Sequence, residues 1–133
     1  MKFILDTSIC KYFIKSSSEA VKRNLKSKKP GDVYISSITV AELQYGIEKS
    51  AKRIENQVAL EQFLQPLIIL EFNKEDAISY GVIRAKLERR GTTVGGMDML
   101  IGAQVLSRGF IIVTTDEKEF RKIEGLKVEN WTK

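Results

Sequence analysis

Apolar positions along this chain fall into short unbroken runs, separated by longer stretches in which they recur at helical spacing. Phe3-Ile4-Leu5, Val33-Tyr34-Ile35-Ser36, Leu67-Ile68-Ile69-Leu70-Glu71-Phe72 and Phe110-Ile111-Ile112-Val113 are runs of the first kind. Runs so short and so uniformly apolar predict strands buried on both faces. A weaker run, Leu126-Lys127-Val128-Glu129-Asn130-Trp131, predicts a last edge strand. Between the runs lie the helical segments. One begins near Ile9 and continues through Ile14, with Asp6, Thr7 or Ser8 as its cap. A Lys-rich segment over 16–29, anchored by Val21 and Leu25, ends at the turn Pro30-Gly31-Asp32. Thr39 and Glu42 stand at capping-box spacing at the start of a third helix, whose signals persist through Lys52. Arg53 to Leu64 places Ile54, Val58, Leu60 and Leu64 on an amphipathic face. Asn73 caps a helix that reaches Arg90 and is closed by Gly91; its Glu75 and Asp76 suit the helix dipole. A Gly-Gly pair opens the helix that carries Asp98, and Ser107-Arg108-Gly109 ends it. Strands alternating with helices in this way predict an α/β sandwich with a mainly parallel sheet.

Composition narrows the chemistry. The chain has 133 residues, enough for one sizeable core, and we expect a single domain over 1–133. No apolar run reaches membrane-spanning length, and Asp6 stands where the apolar region of a signal peptide would continue, so a cytoplasmic protein is expected. One cysteine, Cys10, has no internal disulfide partner, and the absence of His excludes every His-based triad and the usual zinc sets. An enzyme built from this inventory works with carboxylates, hydroxyls, Lys, Arg or a hard metal ion. The net charge of +5 adds a weak pull toward polyanions such as nucleic acid.

Four acids occupy suggestive places. Asp6 and Asp116 each follow a buried run, at the strand end where open parallel sheets bind ligands. Glu42 and Asp98 each sit early in a helix that follows such a turn. Every one of them also has an ordinary use as a helix cap or dipole partner. Gathered in one crevice they would repel one another, and Mg²⁺ or Mn²⁺ is the simplest compensation for carboxylates without His or thiolate. Carboxylates, a hard ion and a basic rim suit phosphodiester hydrolysis, as one of several possibilities at this level. A non-catalytic nucleic-acid or protein-binding module, its acids serving only as caps, is the main alternative. A phosphatase-like domain is disfavoured, because Asp6 is followed by Thr7 and Ser8 where such sites place a second acid.

The motifs L-D-T-S-I, I-S-S-I-T-V-A-E-L-Q-Y-G, V-G-G-M-D-M-L-I-G-A and I-I-V-T-T-D-E-K-E-F-R-K-I-E-G-L-K-V-E-N-W occur in that order along nearly the whole chain. Together they resemble a PIN-domain ribonuclease of the VapC toxin type. The resemblance implies a PIN-like α/β/α sandwich and a Mg²⁺- or Mn²⁺-dependent endoribonuclease. It also implies a VapB-like antitoxin as partner, a homodimer, and a structured RNA substrate such as initiator tRNA cut in its anticodon stem-loop. A relative of this kind acting in RNA or DNA processing without an antitoxin is the runner-up. The family's acids fall on Asp6, Glu42, Asp98 and, for the fourth, Asp116, with Glu119 one turn later as the alternative. Asp6 and Asp98 are then expected to bind the ion directly, and Glu42 and Asp116 through water or a second ion. Ser8 stands where the family often has Asn. Thr7, Ser8 and Thr114 are auxiliary candidates for positioning water or phosphate. Arg84, Arg89, Arg90 and Arg108 are candidates for phosphate contacts, whereas Lys22, Arg23, Lys26, Lys28 and Lys29 read as a solvated face. The apolar positions Ile54, Val58 and Phe63 are expected to meet either the antitoxin or a second copy of the chain.

Overall fold

The computed structural model describes residues Met1 to Lys133. Five strands, β1 (Phe3–Leu5), β2 (Val33–Ser36), β3 (Ile68–Leu70), β4 (Ile111–Val113) and β5 (Lys127–Glu129), form one sheet in the order β3-β2-β1-β4-β5. Every neighbouring pair is parallel. The helices are α1 (Thr7–Ser16), α2 (Glu19–Ser27), α3 (Ser37–Glu48), α4 (Arg53–Leu64), α5 (Lys74–Arg89), α6 (Gly96–Arg108) and α7 (Glu117–Phe120). The chain winds outward from β1 to β3, then crosses to the other side of β1 to add β4 and β5. Strand order therefore reverses between β1 and β4, and the C-terminal ends of those two strands open a crevice of the kind that holds ligands in α/β sheets.

Both faces of the sheet are covered, as the unbroken apolar runs require. Phe3, Leu5, Val33, Ile35, Ile111 and Val113 pack to one side with Ile9, Val21, Leu43, Ile47 and Leu60. Ile4, Tyr34 and Ile112, the alternate positions, pack to the other side with Ile83, Leu87, Ile101, Val105 and Phe120. At about 1.5–3 kcal/mol for each large side chain removed from water, these two layers supply most of the driving force for the sandwich. At Gly102 an added Cβ would lie 2.5 Å from Ile123 Cδ1, so a larger residue there would make the buried Ile123 side chain shift where α6 seats on the segment after α7.

Several boundaries and roles differ from the sequence expectations. The Lys-rich helix is shorter than 16–29, because Ser17 adopts a left-handed φ of 50° that ends α1, and Ser18 then caps α2. α3 is capped by Ser36, whose hydroxyl accepts the Ile38 N–H at 3.1 Å, and it stops at Glu48 instead of running to Lys52. No capping box forms between Thr39 and Glu42; Thr39 is buried inside the first turns, and the Glu42 side chain is left for another partner. The expected single apolar face of α4 is split. Leu60 is buried and Phe63 packs on Phe13, while Ile54 and Val58, rotated away by the helical pitch, are 77% and 53% exposed.

Asp76 is more than a dipole partner. It closes a capping box with Asn73 at the start of α5, and its buried carboxylate forms an ion pair with Arg108 at 3.1 Å. The Ser107 hydroxyl also donates to it. Burial alone would raise the Asp76 carboxyl, but the bonds from Arg108, Ser107 and the Asn73 backbone prevail and hold it below the ordinary range. Arg108 is therefore a structural residue that bolts the end of α6 to the start of α5, with a further bond to the Glu71 carbonyl at 3.1 Å. Removing its side chain by Arg108→Ala should cost about 3 kcal/mol, because it leaves a buried charge unpaired. Denaturant unfolding checks this; a loss within experimental error would show that Asp76 finds water or another partner.

Candidate active site

The crevice where strand order reverses is built around Asp6. Leaving β1, it caps α1, and its carboxylate is only 2% exposed. A buried charge needs partners, and Asp6 has three kinds. Oδ1 accepts the Ile9 N–H at 2.9 Å, the Ser8 hydroxyl lies 2.8 and 2.9 Å from the two oxygens, and Oδ2 accepts the Thr114 hydroxyl at 2.6 Å. Thr114 immediately follows β4, so this last bond crosses the switch point. Its hydroxyl in turn accepts the Asp116 N–H at 2.8 Å, and the Ser8 hydroxyl accepts the Thr115 N–H at 3.1 Å. Burial pushes the Asp6 carboxyl above its usual value, against the hydrogen bonds from Thr114, Ile9 and Ser8 and with a contribution from the negative charge of Asp116.

Glu42 reaches the same place from α3. Its Oε1 accepts the Thr7 hydroxyl at 2.6 Å, which ties it to the residue beside Asp6, and Thr39 lies 3.2 Å from the same hydroxyl. Thr7, Ser8 and Thr114 thus hold the acids in place.

Asp98, in the first turn of α6, is half-buried, and no side chain caps that helix. Its carboxyl is pushed up to about 6, first by burial and then by the negative charges of Asp6, Asp116, Glu119 and Glu42. Four acids from three separate stretches of chain therefore act on a single carboxylate. Asp116 is exposed, and although it precedes α7 its side chain does not cap that helix. Glu119 differs from the others in being engaged. It accepts the Gly95 N–H at 3.0 Å and pairs with Lys122 at 3.0 Å, and these bonds hold its carboxyl below the ordinary range.

No three of these acids stand close enough together to form a ready-made cage for one ion. Mg²⁺ rarely needs one: it keeps several waters and takes one or two carboxylates directly. Carboxylates that repel one another across a crevice, with neither imidazole nor thiolate beside them, are a donor set that fits such an ion.

The basic candidates fare differently. Arg108 belongs to the ion pair with Asp76, so its expected phosphate contact is corrected. Arg84 donates to the Tyr80 hydroxyl and to Glu88, and Arg90 to the Lys122 carbonyl, while Arg89 is exposed. Lys122 was not singled out in the sequence. The one local signal for it is its i,i+3 spacing from Glu119, which places the two on one side of a helical turn.

Comparison with known proteins gives a consistent result. The PIN domain family model matches residues 3–126. Ribonuclease VapC2 of Rickettsia felis is 40% identical over the full length of both chains. The tRNA(fMet)-specific endonuclease VapC of Salmonella typhimurium is 40% identical over 98% of each. Among solved structures, the DNA-bound VapBC from Salmonella typhimurium superposes with a TM-score of 0.95 at 39% identity, covering 98% of each chain.

The raised Asp98 carboxyl makes stability depend on pH. A carboxyl at about 6 in the folded chain against 3.8 when free binds more protons folded than unfolded. Its favourable contribution is complete below the lower value and is lost as pH rises through the higher one. After discounting for solvent screening in a half-exposed site this amounts to about 1 kcal/mol, or several degrees of melting temperature. Without divalent ions the melting temperature should therefore fall through this window, and Mg²⁺ or Mn²⁺ should restore it at pH 7.5 but not at pH 5. Thermal melts across pH, with Asp98→Asn as the flattened control, check this; an ion effect equal at both pH values would contradict it.

Proposed function

The chain belongs to the PIN-domain family, among its VapC ribonucleases, and on that premise we propose that its acidic crevice hydrolyses RNA with the help of Mg²⁺ or Mn²⁺. The observation that carries this reading is the convergence at the switch point, where Thr114 and Ser8 bond the Asp6 carboxylate and Thr7 ties Glu42 beside it. The raised Asp98 carboxyl reflects burial and these neighbouring charges. Asp6 and Asp98 are the carboxylates that would hold the ion directly, and Glu42 and Asp116 those that would hold its waters. A divalent ion bound there supplies charge neutralisation for the phosphate and activation of water.

The residues of the chain do the rest. Ser8, Thr114 and the Ile9 N–H keep the Asp6 carboxylate in one orientation, so little reorganisation is needed when RNA binds. Thr7 does the same for Glu42. Asp116, exposed and not spent on capping α7, is the acid available to accept a proton from the attacking water at its Oδ atoms. The net charge of +5 draws a polyanion toward the crevice whose own charge would otherwise repel it.

Initiator tRNA is the proposed substrate, supported by the relative described as a tRNA(fMet)-specific endonuclease. A VapB-like antitoxin is the proposed partner, supported by relatives solved as VapBC complexes. Exposed Ile54 and Val58 on α4 are apolar surface available to that antitoxin or to a second copy in a homodimer. No helix is long and apolar enough to cross a membrane, and the cytoplasm is the proposed location because the proposed tRNA substrate is found there.

Asp98→Asn should lower the Mg²⁺-dependent cleavage of initiator tRNA by about 100-fold or more while leaving the fold intact. Incubation of purified protein with tRNA, followed by sequencing of the ends, measures rate and site together. Undiminished cleavage by the variant would remove Asp98 from the mechanism, and uncut initiator tRNA beside another cut RNA would correct the substrate.

A further inference from the structure

We propose that Glu119 is a positioning residue that aims Asp98 by holding the turn before α6, and that it is not a ligand of the divalent ion. This rests on the metal-dependent reading of the crevice and decides which acid serves as its fourth member. Gly95 is the N-cap of α6; its carbonyl accepts the Met99 N–H at 2.8 Å, which starts the helix carrying Asp98. The turn runs close behind that carboxylate, since a Cβ built on Gly95 would lie 3.6 Å from Asp98 Oδ2. Gly95 and Gly96 offer no side chain to brace the turn, and no side chain of α6 caps its own N-terminus. The brace comes from outside, where Glu119 Oε1 accepts the Gly95 N–H at 3.0 Å.

The other end of Glu119 is also occupied. Oε2 lies 3.0 Å from Lys122 Nζ, and the same ammonium donates to the Thr93 carbonyl at 3.2 Å. Arg90 adds a third tie, from its guanidinium to the Lys122 carbonyl at 3.0 Å. Residues 119–122 thus clamp 90–95, the stretch that leads into α6. The Asp6 carboxylate is met only by neutral hydroxyls and an N–H, whereas Glu119 already faces a cation. A divalent ion bound there would have to displace the Lys122 ammonium, which also ties Thr93, and so would loosen the turn that holds Asp98. Asp116 has no such duty, because its carboxylate does not cap α7, and it is the fourth acid.

Three variants separate the two roles. Glu119→Gln keeps an oxygen for the Gly95 N–H, Glu119→Ala keeps none, and Asp116→Asn removes the charge of the other candidate. The readouts are Mn²⁺ affinity by electron paramagnetic resonance, exchange protection of the Gly95 amide in the metal-free protein by NMR, and kcat against KM on RNA. Glu119→Gln should hold Mn²⁺ within about 3-fold of the parent and keep the Gly95 amide protected. Glu119→Ala should expose that amide and lower kcat about 10- to 100-fold with little change in KM, because it misplaces a group required in the transition state. Asp116→Asn should weaken Mn²⁺ binding about 10-fold with the Gly95 amide unaffected. Loss of Mn²⁺ by Glu119→Gln as severe as in Asp116→Asn would make Glu119 a ligand and overturn the proposal, as would a Gly95 amide equally protected in Glu119→Ala. Mn²⁺ bound at parental affinity by Asp98→Asn would sink the metal-site reading itself, and this proposal with it.

Discussion

The structure turns on a charge buried at the point where strand order reverses. Asp6 leaves β1 with almost no contact with water, and an ionised carboxylate in that position is stable only if its oxygens are filled. Filling them recruits the Ile9 N–H of α1, the hydroxyl of Ser8 and, from the far end of the sequence, the hydroxyl of Thr114. Thr114 can reach only if β4 lies in register beside β1, with Leu5 opposite Val113. One acid at the end of a three-residue strand therefore fixes how the two halves of the sheet meet. The same bonds set the path of the chain toward Asp116, whose N–H closes on Thr114.

Around that anchor the molecule collects negative charge that it does not neutralise itself. Glu42 is held by a neutral hydroxyl, and Asp98 and Asp116 do not cap the helices they open. Other acids of the chain are paired: Asp76 has Arg108, Glu117 has Arg121 and Lys133, and at the rim of the crevice Glu119 has Lys122. The contrast lies within one protein, so it does not reflect a shortage of cations. Perturbed and uncompensated groups concentrated in a crevice mark a place where stability has been given up for chemistry. A hard cation arriving there removes repulsion that the folded chain otherwise carries.

Much of this was legible in the sequence because it is local. Unbroken apolar runs are diagnostic of strands covered on both faces, and the placing of Asp6, Asp98 and Asp116 after or before such elements follows from counting along the chain. The misjudged features depend on partners remote in sequence. Thr39 and Glu42 have the spacing of a capping box, but Ser36 starts the helix earlier and Thr7, 35 residues away, takes Glu42. Arg108 looks like a surface cation until Asp76, 32 residues distant, is seen beneath it. Ile54 and Val58 share an apolar period with Leu60 only loosely, and which side of α4 meets the sheet is settled by packing. Glu119 reads as the alternative fourth acid, and its bond to the Gly95 backbone leaves no mark in a sequence motif.

The central claim is that carboxylates far apart in sequence share one electrostatic site. Direct titration of the Asp98 side-chain carbonyl by ¹³C NMR in the metal-free protein tests it most closely. The account predicts a midpoint near 6 that falls when Asp6→Asn or Asp116→Asn removes a neighbouring charge. A midpoint close to 3.8, unmoved by either substitution, would mean that Asp98 stands alone and that the acids do not form a common site.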